Sequence, residues 1–325
     1  MGDLLRVENL KTYFKTQNGV IKAVDDVSFS VTQGEVLGLV GESGSGKSMT
    51  CRSIMRLIAH PGKIVSGKIW FQGEDILSWP MNRLVNYRGA QVSMILQEPM
   101  TALNPVQTVG LQIEETIIQH ERISKNSARD RSIELFRKVG IPAPERRIKE
   151  YPHQFSGGMR QRVMIAIALA CRPKVLLADE PTTALDVTIQ DQIIRLVEAL
   201  QDEMGMSVVW VTHDLGVVAQ LCDRVAVMYA GHIMELADVI ELFENSRHPY
   251  TRGLLESIPS GETREVQKLI PIQGQPPDLC NLPAGCPFIP RCRYSDKSCT
   301  SADLTLREVK PGHLSACKRF EEIWN

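Results

Sequence analysis

The run Gly41-Glu42-Ser43-Gly44-Ser45-Gly46-Lys47-Ser48 constrains this chain more than any other. It fits the pattern G-x-x-x-x-G-K-S between a continuous apolar stretch, Val36 to Val40, and a segment of helical character beginning near Lys47. Glycines let successive backbone N–H groups turn inward around phosphate oxygens, and the first turn of the following helix adds its partial positive charge. Lys47 has the charge and reach to contact β- and γ-phosphates, and the Ser48 hydroxyl can ligate Mg²⁺. Gly41, Ser43, Gly44, Ser45, Gly46, Lys47, Ser48 and Met49 are therefore the candidate nucleotide-binding residues of this segment. A ligand-free glycine turn is the competing reading, and the strand before it and helix after it argue against that.

A loop of this kind needs an acidic partner at the end of a buried strand, and Val175-Leu176-Leu177-Ala178-Asp179-Glu180 supplies one. The apolar residues bury the strand, which puts two adjacent carboxylates at its carboxyl end, where ligands bind in open α/β sheets. Asp179 is the candidate Mg²⁺ residue, and Glu180 is the candidate general base for an attacking water. The next apolar strand, Ser207 to Thr212, ends at His213, so that histidine falls on the same edge and becomes a candidate γ-phosphate contact rather than a merely structural ring.

Strands and helices alternate through most of the chain. Short strand-like runs from Leu4 to about Val31 are broken by a hairpin turn at Gln17-Asn18-Gly19. Further β-like stretches fall at Lys68 to Phe71 and Val92 to Leu96, a mainly helical block at Thr108 to Cys171, and a helix at about Ile189 to Met204. This order predicts a parallel sheet with helices on both faces and the helical block inserted into it. Beyond about Asn245 the composition turns proline-rich, which predicts a separate, loop-rich appendix.

With 37 basic against 38 acidic residues there is no global field to draw the chain onto nucleic acid or an anionic bilayer. The longest nearly uninterrupted apolar stretch, Val163 to Cys171, is well short of the roughly 20 residues that span a membrane. Met1 to Glu8 lacks a signal-peptide pattern, so cytoplasmic residence is expected, with any membrane attachment made through partners.

At Phe155-Ser156-Gly157-Gly158-Met159-Arg160-Gln161-Arg162 the sequence becomes more specific. Ser156 can cap a helix whose first N–H groups form a second anion cradle. A Ser-Gly-Gly tripeptide opening a helix shortly before the acidic strand resembles the signature of ATP-binding-cassette (ABC) ATPases. That resemblance covers most of the chain. It implies an α/β fold: a P-loop NTPase (RecA-like) core, a small antiparallel β subdomain, an inserted helical subdomain at about 98–172 and, outside a nucleotide-binding domain of 1–245, a Pro/Cys-rich C-terminal extension at 246–325.

It also implies roles for single positions. Gln97 is the loop glutamine that contacts Mg²⁺ or the attacking water and relays movements of the membrane subunit. Thr183-Ala184-Leu185-Asp186 resembles the D-loop that crosses the dimer interface, so Asp186 joins the nucleotide site. His213 matches the switch histidine, and Phe14, or Tyr13 beside it, stands where an aromatic stacks on adenine. Ser156, Gly157 and Gly158 would complete the phosphate site of a second subunit in a head-to-tail dimer. The second subunit would be a homologous ATPase chain or another copy of this one.

Within the family, Gln97-Glu98-Pro99-Met100-Thr101-Ala102-Leu103-Asn104-Pro105, Tyr151-Pro152-His153-Gln154 and His248-Pro249-Tyr250-Thr251 resemble the oligopeptide and dipeptide importer ATPases. Leu96 and Glu98 depart from the phenylalanine and aspartate expected there, both conservatively. The implied partners are two transmembrane permease subunits at the cytoplasmic face of the inner membrane and, indirectly, a periplasmic or lipid-anchored solute-binding protein. Related importers serve nickel, glutathione or oligosaccharides. A soluble ABC ATPase of DNA repair or translation is the reading from another class, but the chain lacks the long coiled coil or second cassette such proteins need.

Five of the eight cysteines, Cys280, Cys286, Cys292, Cys299 and Cys317, crowd into the last 46 residues. A reducing cytoplasm disfavours a disulfide framework, which leaves metal binding or unligated thiols. Intervals of five, six and seventeen residues between the last four do not match paired C-x-x-C zinc hooks, and four thiolates suit an iron–sulfur cluster equally well, so the residues alone leave the matter open. The family resemblance implies a [4Fe–4S] cluster on Cys286, Cys292, Cys299 and Cys317, with Cys280 outside the pattern.

Overall fold

The computed structural model describes residues 2–183, 185–258 and 271–324; Ala184 of the D-loop tetrapeptide and Pro259 of the proline-rich region lie outside them. The chain divides into two units. One comprises Met1–Asp3, Val31–Glu35 and Ser78–Val211, the other Leu4–Ser30, Val36–Leu77 and Thr212–Asn325.

In the first unit the strands Val92–Ile95, Val175–Asp179 and Ser207–Thr212 pair in parallel, with Ile95 opposite Ala178 and Asp179 opposite Val211. Every residue of the last two strands is buried, which is why they read as unbroken apolar runs without alternation. The helical block resolves into Val109–Glu121, Lys125–Lys138, Pro144–Arg147 and Gly157–Leu169. Thr108, Ser124 and Ser156 each cap a helix by accepting a backbone N–H three residues on, which fixes where those helices start. The helix expected from Ile189 begins two residues earlier and spans Val187–Met204, ending at Gly205 in the left-handed region.

In the second unit Leu5–Thr16, Gly19–Val31, Gly62–Phe71 and Glu74–Asp75 form an antiparallel sheet in which Leu5–Thr16 lies between Gly19–Val31 and Gly62–Phe71. The first two strands turn at Gln17-Asn18, where the hairpin was expected. Val36–Val40, completely buried, pairs in parallel with Arg224–Tyr229, and Arg224–Tyr229 in turn pairs antiparallel with His232–Asp238.

The C-terminal residues depart from the expected separate appendix. His313–Ser315 pairs antiparallel with His232–Asp238, and Arg307–Lys310 adds outside it. The side chain of buried Glu235 accepts the N–H groups of Arg247 and His248 and contacts His313 Nε2 at 2.7 Å. Phe288 packs edge-on to Tyr229, ring centroids 5.3 Å apart, and lies against Tyr250 at the same distance. Proline richness does make this region loop-rich. Its short strands and buried aromatics nevertheless attach it to the unit that carries the phosphate loop, because three-residue strands and one or two rings bury enough surface only by packing on a sheet already formed.

Candidate functional site

The phosphate loop belongs to the second unit and is built by close backbone approach. Gly41 (φ +150°) faces the Met228 carbonyl and Gly46 (φ +108°) the Ala23 carbonyl so closely that a Cβ at either position would collide with the oxygen. Gly44 (φ +77°) instead faces open space, as a cradle for a ligand requires. Ser45 N–H bonds the Glu42 carbonyl at 3.2 Å, and the helix Lys47–Ile54 follows directly. Lys47, only 4% exposed, holds its ammonium inside the loop, 2.7 Å from the Gly41 carbonyl and 3.0 Å from that of Glu42. Ser48 and Met49 occupy the first turn, half-buried. A buried ammonium beside an open glycine turn suits an anion, and the Ser48 hydroxyl next to it is a hard oxygen donor of the kind Mg²⁺ takes.

Strand alternation separates the two candidate aromatics. Tyr13 donates its hydroxyl to Asp25 Oδ1 at 2.6 Å, and burial, followed by this bond to the carboxylate, raises its pKa well above the ordinary phenol range. Phe14 takes the opposite face, shared with Thr12, whose hydroxyl lies 2.8 Å from that of Ser53 on the phosphate-loop helix. Its ring lies over Gly62, where a Cβ would strike it, and is half-exposed. Also in this unit, His213 is exposed just beyond Ser207–Thr212, and Asp214 beside it caps the helix Leu215–Leu221.

The first unit holds the acids and the second cradle. Asp179, 1% exposed, ends its strand. Glu180 follows at φ +47°, a left-handed conformation that costs a non-glycine residue of order 1–3 kcal/mol and is usually found where function demands it. Its backbone N–H is held by the Val211 carbonyl at 3.0 Å. Its Oε2 accepts from Gln97 Nε2 at 3.0 Å and from Thr183 Oγ1 at 2.9 Å. Gln97 is thus brought to Glu180 as a neighbour, while Thr183 was read only as part of the D-loop and its contact with Glu180 was not foreseen. Asp186 is exposed and precedes the helix Val187–Met204 without a side-chain cap bond.

The signature Ser156 accepts the Met159 N–H at 3.4 Å at the head of Gly157–Leu169, and Ser156 and Gly157 are exposed. A Cβ on Gly158 would meet Ile189 at 2.8 Å, so this glycine is needed to bring the signature helix against Val187–Met204.

An ABC transporter family model matches residues 24–183, and a model described as the oligopeptide/dipeptide transporter C-terminal region matches 234–299. The oligopeptide transport ATP-binding protein OppD of Bacillus subtilis is 52% identical, over 90% of this chain and 82% of its own. The chain belongs to the family of ABC transporter ATP-binding proteins. It is an ATP-hydrolysing transport subunit. The OppD of Escherichia coli is 48% identical over 98% of this chain and 94% of its own. Among solved structures, a dimeric, post-hydrolysis ATP-binding cassette bound to ADP and Pi superposes with TM-score 0.65 at 29% identity, over 72% of this chain and 98% of that one. No described helix of this ABC subunit is long and apolar enough to cross a membrane.

Cys286, Cys292, Cys299 and Cys317 line one cavity with His248, Phe288 and Tyr294. Burial pushes the Cys286 thiol up to about 12 and Cys317 to about 11, and raises Cys292. Cys280 lies elsewhere, beside Gly19. Among the described residues no three His, Cys, Asp or Glu stand close enough to hold a metal ion. Tyr250 and Arg291, which contact Glu42 in the phosphate loop, were not singled out in the sequence; Tyr250 lies in the quoted segment His248-Pro249-Tyr250-Thr251 and Arg291 directly before Cys292.

Proposed function

We propose that this ABC ATPase powers uptake of dipeptides or oligopeptides, working in a head-to-tail pair of ATPase subunits under two membrane permeases at the cytoplasmic face. What carries the hydrolytic half of this reading is Glu180, held in a strained backbone with its carboxylate oriented by Gln97 and Thr183. Its carboxylate, oriented by the two donors on Oε2, is the group that takes the proton of an attacking water. Lys47 and the loop N–H groups hold the β- and γ-phosphates of ATP, and Phe14 stacks on the adenine. Ser48, Asp179 and Gln97 are the residues that would hold Mg²⁺, which when bound neutralises charge on the phosphates. His213 contacts the γ-phosphate. Ser156, Gly157 and Gly158 receive the nucleotide of the opposite subunit, for which an exposed, capped helix N-terminus is suited, and Asp186 crosses the interface beside Val187, itself 82% exposed. Exposed Leu96, Met100, Val106 and Leu111, beside the acid-linked Gln97 and along the segment after it, suit a permease helix.

Peptide as cargo is supported by the likeness to oligopeptide transport ATP-binding proteins and by the match to the oligopeptide/dipeptide transporter C-terminal region. Deleting the gene and restoring it as wild type or Glu180→Gln, then measuring accumulation of a radiolabelled tripeptide, tests both parts. Restoration by wild type alone is expected; full uptake with Glu180→Gln removes the assigned base, and uptake of nickel, glutathione or an oligosaccharide in place of peptide reassigns the cargo.

For the cysteine cavity the donor chemistry fits a [4Fe–4S] cluster on Cys286, Cys292, Cys299 and Cys317. Four thiols lining one cavity without the tight spacing that a single ion imposes are compatible with ligands spread over several irons. The thiols of Cys286, Cys292 and Cys317, which burial holds in the protonated form, become thiolates when a metal centre offsets the charge. Iron and acid-labile sulfide in anaerobically purified protein, lost in Cys292→Ala, are expected; zinc, or no metal, would exclude the cluster.

A further inference from the structure

Two residues of the C-terminal region grip the first variable residue of the phosphate loop. Tyr250, fully buried, accepts the Glu42 backbone N–H at its hydroxyl, 2.9 Å away. Arg291, its side chain 4% exposed, forms a two-pronged pair with the Glu42 carboxylate: Nη2 to Oε1 at 2.9 Å and Nη1 to Oε2 at 2.5 Å. Lys47 already holds the Glu42 carbonyl. The N–H, carbonyl and carboxylate of Glu42 therefore all have partners, and two of the three are supplied from more than 200 positions along the chain. Arg291 is itself fixed: its Nε donates to the Gln273 carbonyl at 3.0 Å, its Nη1 lies 3.3 Å from the Tyr229 hydroxyl, and its guanidinium stands over the rings of Tyr229 and Phe288.

We propose that Arg291 is a positioning residue for ATP binding, holding the phosphate loop through Glu42 in the form that receives the nucleotide. The inference rests on the reading of Gly41–Ser48 as the phosphate site. A loop with three glycines loses much conformational freedom on ordering, and ligand binding must supply that cost unless other contacts have already met it. A planar, bidentate pair to a residue at the head of the loop does this with fixed geometry, which a lysine's point charge would not. If losing the pair leaves the receptive form about one tenth populated, the apparent dissociation constant rises about tenfold. As a bare charge near phosphates, Glu42 would have the opposite influence, and its removal would strengthen nucleotide binding.

The test is a double-mutant cycle, titrating the fluorescent analogue methylanthraniloyl-ATP with Mg²⁺ into the full chain and following ATP turnover in the assembled transporter. Arg291→Ala and Glu42→Ala are each expected to weaken binding about tenfold, the double variant no further, and Arg291→Lys to fall between. The KM for ATP should rise with kcat changed less than twofold. Wild-type affinity in a folded Arg291→Ala, or losses that multiply in the double variant, would overturn the proposal. Should Arg291→Ala not fold, Glu42→Ala decides by its sign, since tighter binding contradicts the brace. Lys47→Ala separates the two levels: if it binds the analogue as wild type does, the phosphate-site reading fails, whereas loss with Lys47→Ala alone rejects only the role of Arg291.

Discussion

The two proposed anion cradles of this chain are built differently. The Gly41–Ser48 loop is braced on several sides: its lysine is buried, two of its glycines are wedged against carbonyls, and Glu42 is held by Tyr250 and Arg291. The Ser156-Gly157-Gly158 turn is exposed at its tip; Ser156 takes the Met159 N–H at its hydroxyl and the Arg160 N–H at its carbonyl, and Gly158 packs on Ile189. A braced cradle can bind nucleotide within one chain. An open one, presented on a helix end, suits completion by a second chain, and that asymmetry is what a nucleotide-operated clasp between subunits requires.

The largest effect expected concerns the proposed general base: Glu180→Gln should cut turnover by about 10²–10⁴ while leaving binding of the ATP analogue intact, so brisk hydrolysis would displace the base to another residue. Ser156→Arg should lower turnover of the assembled transporter by about 10²–10³, on the scale of losing a preorganised anion donor, with nucleotide affinity of the isolated chain unchanged. Weakened binding in the isolated chain would make the open cradle part of its own site and erase the contrast.

Within the braced unit, Phe14→Ala should cost about 1–3 kcal/mol of adenine stacking, about 5- to 150-fold in affinity. Tyr13→Phe should leave affinity alone and lower stability by about 1 kcal/mol through loss of the bond to Asp25. The reverse pattern would exchange their roles.

A separate, pH-dependent effect is acid loosening of the brace. Burial lowers the pKa of His248 from 6.5 to about 3, and its Nδ1 accepts the Tyr250 N–H at 3.1 Å. The folded state keeps this ring neutral while the unfolded chain protonates it below its ordinary pKa. Its contribution is therefore complete above 6.5 and is lost as pH falls toward 3, by at most about 1.4 kcal/mol per pH unit. His248→Asn should flatten that slope in denaturant titrations; an unchanged slope would assign the acid sensitivity elsewhere.

Motifs with a local physical cause were legible in the sequence. Val36–Val40 has the expected bounds because a fully buried parallel strand is a plain apolar run, and the signature helix starts at its serine cap. What was not legible depends on partners far along the chain. Gln97 and Thr183 meet at Glu180, but nothing in their spacing, 83 residues and three, says that both donate to one oxygen. Arg224–Tyr229 and His232–Asp238 form a hairpin that the reading passed over, although Tyr229-Ala230-Gly231 carries a turn signal. The C-terminal segment misled most: prolines mark loops reliably, yet they carry no information on whether a loop is docked. Docking here is done by Phe288, Tyr250, Arg291 and a three-residue strand too short to show periodicity.

The central claim is that one nucleotide is held by two chains. The most direct measurement is the structure of the assembled transporter, with its ATPase pair, carrying Glu180→Gln and trapped with MgATP. The account predicts ATP between the Lys47 loop of one ATPase subunit and the Ser-Gly-Gly turn of the other, with Ser156 of this chain facing its neighbour's γ-phosphate. Nucleotide touching a single polypeptide, with Ser156 to Gly158 open to solvent, would contradict it.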